Sequence, residues 1–248
     1  MRGIKALFFR RASLVLSRKG AVMSFATRLE AGERLGEACR GLVFEKPLVL
    51  GLARGGVPVA VGVARRLGVP MDVLMVRKIG TPGYAELASA AVVDGQKPVI
   101  VFNEEVMRSR SISKSDVRAA AADALREIER RRELYVGRRT PVEVTDRDVI
   151  LVDDGAATGS SLRAAVDAVR RKSPLRITIA VPVAAHEALE TLKGVADQVI
   201  CLEAPERFGS VSEFYQDFRQ LTDDEVVALL ETGRIDTSGP AQPPDRAL

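Results

Sequence analysis

The stretch Val149-Ile150-Leu151-Val152-Asp153-Asp154-Gly155-Ala156-Ala157-Thr158-Gly159-Ser160-Ser161 decides how the rest of the chain is read. Its four apolar residues predict a strand buried on both faces, as in a parallel sheet. Two carboxylates end that strand, and small and hydroxyl residues then lead into a helix starting near Ser160. Consecutive backbone N–H groups at a helix N-terminus can wrap a phosphate, and Thr158 and Ser161 add hydroxyl donors. Small side chains let the backbone approach the anion. Asp153 and Asp154 would repel that phosphate, so their expected role is to accept hydrogen bonds from vicinal hydroxyls one sugar away. The loop is not a Walker loop, since the G-K-[ST] ending is missing, and it is not G-x-G-x-x-G.

The same grammar of short buried strands and helices runs outward from this loop. Strands are predicted at Pro47–Leu52, Met71–Val76, Ala88–Val93, Pro98–Phe102, Ile177–Val181 and Gln198–Leu202. Helices are predicted over Phe25–Arg40 and Val57–Leu67, from the capping box Ser113-Lys114-Ser115-Asp116 through Tyr135, and near Ala185. Arg77–Tyr84 is rich in Gly and Pro and reads as irregular, and Asp94-Gly95 is a hairpin signal. Strands alternating with helices imply a parallel sheet covered on both sides. In such sheets ligands bind beyond the carboxyl ends of the strands. Two other strand ends carry polar signals: Arg54-Gly55-Gly56 after the first core strand, and Arg77-Lys78 after the second.

Composition excludes several chemistries. The 248 residues are 46% hydrophobic and 28% charged, as in a globular protein. No apolar run reaches the ~18 residues of a membrane span. Two cysteines without a C-x-x-C fit a reducing compartment. The single histidine, His186, excludes a multi-histidine metal site, and no G-x-S-x-G elbow is present. The net charge of +4 arises in residues 1–22, which hold six basic side chains and no acid. Beyond them the chain is slightly acidic, which argues against a nucleic-acid surface. That leader, split by Arg10 and Arg11 and followed by Met23, lacks a secretory core. It is expected to be disordered, as is a Gly- and Pro-rich tail over residues 235–248, leaving one domain over 23–234.

An apolar strand, two acids, a small loop and T-G-S-S form the pattern that binds phosphoribosyl pyrophosphate (PRPP), and the chain resembles the type I phosphoribosyltransferases. Further matching phrases are Glu30-Ala31-Gly32, Gly51–Ala60, Val76–Gly80, Pro82-Gly83 and Glu86-Leu87-Ala88, shared with a bacterial branch of that family. The resemblance spans about Met23–Leu230. It implies a parallel sheet flanked by helices, a mobile loop or hairpin, and a small hood over about residues 203–220. It also implies Mg²⁺-assisted transfer of the 5-phosphoribosyl group to a base or amine, with release of pyrophosphate. Arg54, Gly55, Gly56, Arg77 and Lys78 would then hold pyrophosphate, and Asp153–Ser161 the ribose and its 5-phosphate. Mg²⁺ would be carried mainly by PRPP, with Asp153 and Asp154 helping to place it. The Ile79–Gln96 segment would close over the site, bringing Glu86 as a loop acid.

The acceptor pocket is expected beside the hood, where Phe208, Phe214, Tyr215 and Phe218 cluster. Phe208 and Tyr215 are the candidate stacking rings, although packing of a small subdomain is the expected use of most of these aromatics, and His186, at a strand-to-helix junction, is a further candidate for the acceptor. The implied setting is a cytoplasmic enzyme with PRPP and a small acceptor as partners, no nucleic acid or membrane, and a homodimer as the expected assembly. A non-catalytic PRPP sensor is the alternative, since one fold hosts both.

Overall fold

The structure is a computed structural model that describes residues 13–15, 24–81, 84–95, 98–137 and 142–233. The deciding stretch forms β6 (Asp148–Val152), buried along its whole length. Its neighbours are β2 (Leu48–Ala53) and β7 (Arg176–Val183), both parallel to it. Beyond β7 lies β8 (Gln198–Glu203), and beyond β2 lies β3 (Met71–Thr81), again parallel. Two antiparallel strands, β4 (Tyr84–Val93) and β5 (Val99–Phe102), extend the β3 side. Three residues of the basic leader, β1 (Ser13–Val15), pair with β8 as an edge strand, where disorder was expected. The full order is β1-β8-β7-β6-β2-β3-β4-β5. The rest of the leader and the expected tail lie outside the described residues.

Helices cover both faces, as continuous apolar strands require. One face receives α1 (Arg28–Cys39), α2 (Gly56–Leu67), α4 (Lys114–Tyr135) and α7 (Asp223–Thr232). The other receives α5 (Ser160–Arg170) and α6 (His186–Val195). The short α3 (Glu104–Ser109) joins β5 to α4. Ser113 and Asp116 form the expected capping box at the start of α4. Thr222 and Glu225 form a second, at α7, which the sequence reading passed over. Among the described residues no helix is long and apolar enough to cross a membrane.

Two consequences of topology place the site. Chain order reverses between β2 and β6, which lie side by side with Gly51 paired to Val152, β2 running two residues further. The crevice beyond this reversal is where open α/β sheets bind ligands. The second is a correction. Arg77–Thr81 is not irregular but continues β3 and pairs with β4, with register shifts around Gly80. The physical reason is backbone satisfaction. β4 supplies partners for these N–H and C=O groups, and a bulge at Gly80 absorbs the residue that broke the pattern. Most of the segment expected to be a mobile loop or hairpin is therefore an antiparallel ribbon of β3 and β4, with residues 82–83 outside the description.

Helices α1 and α2 meet backbone to backbone. A Cβ on Gly32 would lie 2.2 Å from the carbonyl oxygen of Val59 and 2.8 Å from its Cα. Gly32→Ala must push the helices apart and is expected to lower stability by about 2–3 kcal/mol in urea denaturation. Gly41→Ala, with nothing within 4 Å, is the control expected to change little.

Candidate active site

The loop after β6 is pinned at its middle and open at its end. The Ala156 N–H donates to Val183 O at 2.9 Å, and Ala156 O accepts from Ala185 N at 2.9 Å, so the loop hooks onto the end of β7. Ala157 and Thr158 are exposed. Helix α5 starts at Gly159 with no side-chain cap, unlike α1, α4 and α7. The Ser160 N–H donates to Thr158 Oγ1 at 3.4 Å, and the Thr158 and Ser160 hydroxyls are 3.0 Å apart. An uncapped helix N-terminus with hydroxyl neighbours suits an anion.

The turn after β2 is pressed against the two acids. The Ala53–Arg54 peptide is cis. A Cβ on Gly55 would lie 2.0 Å from Asp154 Oδ2 and 2.7 Å from its Cγ. Any side chain there would displace the Asp154 carboxylate, so the Arg54-Gly55-Gly56 turn lies directly against the second acid. Gly56 then opens α2 directly behind Asp153.

The carboxylates differ in their surroundings. Asp153 accepts from the Asp154 N–H at 3.0 Å. Burial and the neighbouring Asp154 push its carboxyl well above the ordinary range, with Lys78 and Arg28 opposing. Asp154 is also raised by burial, against a direct ion pair to Arg28, Nε to Oδ2 at 2.9 Å. The Tyr215 hydroxyl donates to Asp154 O at 2.6 Å. Neither Arg28 nor this tyrosine contact was legible as part of the site. Arg28 falls in the first turn of α1, 126 residues from Asp154 in sequence.

Arg77 and Lys78 were expected to act as a pair, but consecutive strand residues point to opposite faces. Lys78 lines a cavity of about 280 Å³ together with Thr158, Ser160 and Arg163. Arg77 turns to the other face, 3.7 Å from Glu127. There it joins an array in which Arg130 contacts Glu127 and Asp223 at 2.9 Å each, and Arg131 contacts Glu127 at 2.7 Å. The Tyr135 hydroxyl donates to Asp223, and Arg54 reaches the same carboxylate at 4.0 Å. Four arginines thus share two carboxylates, and Arg54 and Arg77 hold the two longest contacts.

The hood is built over the loop, with Val211 against Gly155. Its aromatics are mostly spent on packing. Phe214 stacks on Phe208 at 5.6 Å, and Tyr215 lies between Phe25 at 5.5 Å and Phe218 at 5.2 Å. Tyr215 is only 6% exposed, so the expectation that it stacks on an acceptor is corrected: its ring has no free face and its hydroxyl holds the acid loop. Phe208 is partly exposed. His186 is exposed at the start of α6, next to the Ala185 that bonds the loop. Glu86 lies on β4, but its side-chain surroundings fall outside the described residues.

Two adjacent carboxylates are hard oxygen donors that fit Mg²⁺ when a ligand supplies the remaining oxygens. Among the described residues no group of three or more His, Cys, Asp or Glu could form a protein cage.

Residues 29–219 match the family model of the phosphoribosyl transferase domain. The chain belongs to the phosphoribosyl transferase family. Two Mycobacterium tuberculosis proteins with provisional phosphoribosyl transferase names, Rv0571c and MT0597, are each 38% identical to it over 230 residues, 90% of this chain. The chain spans about half the length of these relatives, 51%. The crystal structure of TT1426 from Thermus thermophilus superposes with a TM-score of 0.74 at 43% identity, covering 84% of this chain and 98% of that one. In this phosphoribosyl transferase domain, the loops described above stand where the sheet reverses.

The arginine array makes a pH prediction. The Arg130 hydrogen bond, reinforced by Arg131 and Arg77, holds Glu127 at about 2 against an ordinary 4.5. A carboxylate depressed by folding contributes stability above its unfolded pKa and loses it as pH falls through the folded one. Glu127→Gln is expected to lower Tm near neutrality, with the gap to wild type closing between about pH 4.5 and about pH 2 in thermal melts. A gap that persists at the acid end would assign Glu127 a role other than ion pairing.

Proposed function

We propose that the chain transfers the 5-phosphoribosyl group of PRPP to a nitrogen nucleophile, a base or an amine, and releases pyrophosphate. One observation carries this reading: Gly55 abuts the Asp154 carboxylate while an uncapped helix N-terminus opens a few residues beyond. A ligand with a terminal phosphate, vicinal hydroxyls and a second phosphate group at the other end matches that order of surfaces.

Each group then has a task. Within Gly155–Ser161, the N–H groups beyond Ala156 cradle the 5-phosphate with the Thr158 and Ser161 hydroxyls, while Ala156, bonded to Val183, anchors the loop. Asp153 and Asp154 accept from the ribose hydroxyls. The turn at Gly55 and Gly56, with Arg54 and Arg77, neutralises the leaving pyrophosphate, whose charge grows as the C1–O bond breaks, and Lys78 faces Asp153 and the 5-phosphate loop. Arg54 and Arg77 would exchange their long contacts to Asp223 and Glu127 for phosphate oxygens. Mg²⁺, placed by Asp153 and Asp154, would add charge neutralisation on the pyrophosphate. Glu86 on the β4 ribbon and Phe208 and His186 at the hood are the residues proposed to meet the acceptor.

The packed state of Tyr215 and Phe214 favours a second reading, a PRPP-binding sensor without an acceptor pocket. Pyrophosphate release from PRPP in the presence of pooled bases and amines separates the two: an enzyme turns over with at least one pool, and a sensor with none.

PRPP with Mg²⁺ is expected to raise Tm, since a ligand at 100-fold its Kd stabilises the folded state by about 2.7 kcal/mol. In the double variant Asp153→Asn, Asp154→Asn most of that shift should vanish, and an unchanged shift would remove the ribose assignment. Arg54→Ala and Arg77→Ala are expected to weaken pyrophosphate binding while sparing ribose 5-phosphate, measured by titration calorimetry. Equal losses for both ligands would make these residues structural supports.

A further inference from the structure

Arg28 is the buried cation of this site, and it sits at a junction. Its side chain is 10% exposed. Nε donates to Asp154 Oδ2 at 2.9 Å, and Nη1 donates to the carbonyl of Arg219 at 3.1 Å. The guanidinium carbon lies 3.7 Å from the centroid of the Phe218 ring and 6.0 Å from that of Tyr215. Phe218 and Arg219 belong to the end of the hood, whereas Asp154 belongs to the loop after β6. Around Arg28, the Phe25–Tyr215 bridge and the Tyr215 hydroxyl on Asp154 O close the same circuit.

We propose that Arg28 is a positioning residue that couples the hood to the ribose-binding acid. This rests on the reading of Asp153 and Asp154 as ribose ligands. The argument is geometric. Asp154 is wedged between Gly55 and Arg28, so the ion pair fixes the orientation of its carboxylate at the crevice. A planar, forked guanidinium can meet a carboxylate edge, a carbonyl and an aromatic face together, and a lysine ammonium cannot. Charge balance agrees, since two adjacent part-buried carboxylates have Arg28 as their single cation in hydrogen-bonding contact among the described residues. Removing it leaves Asp154 buried without its counter-ion, a costly state that favours rearrangement of the loop. Engagement of ribose by Asp154 and placement of the hood over the acceptor side are then linked and reciprocal.

Binding of ribose 5-phosphate, PRPP and pyrophosphate, each with Mg²⁺, to wild type, Arg28→Gln and Arg28→Lys by titration calorimetry tests this. Arg28→Gln is expected to weaken ribose 5-phosphate and PRPP about tenfold, the scale of one charge-assisted hydrogen bond, and to change pyrophosphate by less than about twofold. Arg28→Lys should recover part of the loss. Phe218→Leu, which removes the stack and keeps the ion pair, should weaken ribose 5-phosphate in the same direction, and it serves if Arg28→Gln does not fold. Unchanged ribose 5-phosphate affinity, or an equal loss for pyrophosphate, would overturn the proposal. Amide exchange across residues 204–221 without ligand gives an independent readout. It should quicken in Arg28→Gln, and unaltered exchange would break the tie to the hood. Should wild type bind none of the three ligands, the transferase reading fails, and the exchange contrast still decides whether Arg28 holds the hood.

Discussion

The contact between Gly55 and the carboxylate of Asp154 constrains everything around it. β6 ends at the Gly51–Val152 pair and β2 two residues later, and the turn that follows β2 lies so close to the Asp154 carboxylate that a Cβ on Gly55 would displace it. That contact places the turn proposed to hold a leaving group directly on the acids proposed to hold a sugar. The same carboxylate pairs with Arg28, which brings the first turn of α1 into the site. The hood follows, because Tyr215 holds the carbonyl of the same aspartate and Phe218 covers the same arginine.

Electrostatics on the two faces of the sheet edge differ for a simple reason. Strand alternation sends Lys78 toward Asp153 and the loop after β6, and Arg77 toward α4. The α4 face collects four arginines around Glu127 and Asp223, an arrangement with surplus positive charge beside Arg54. Long contacts of 3.7 and 4.0 Å at Arg77 and Arg54 exchange for an anionic ligand more readily than the 2.9 Å contacts of Arg130.

The central sheet and its polar loops were legible because both depend on local sequence. Val149–Val152 is apolar throughout because β6 is covered on both faces, and a side chain at Gly55 would displace the Asp154 carboxylate. What escaped depended on tertiary partners. Gly80 and Pro82 read as breakers of a strand, yet β4 rescues the backbone of Arg77–Thr81 and the bulge tolerates the glycine. Tyr215 read as a stacking ring because composition near the hood is aromatic, and only packing against Phe25 and Phe218 reveals that its ring is enclosed. Arg28 carries no local signal, since an arginine in a first helical turn is ordinarily solvated. The capping box at Thr222 and Glu225 was a readable signal for α7, and with it the origin of Asp223.

The most direct test of the site is a crystal structure of the chain with PRPP and Mg²⁺. The expected density places the 5-phosphate on the Gly155–Ser161 loop, the ribose hydroxyls on Asp153 and Asp154, and the pyrophosphate against Gly55, Gly56 and Arg54. Density with the phosphate ends reversed, or the ligand bound away from the β2–β6 crevice, would contradict it.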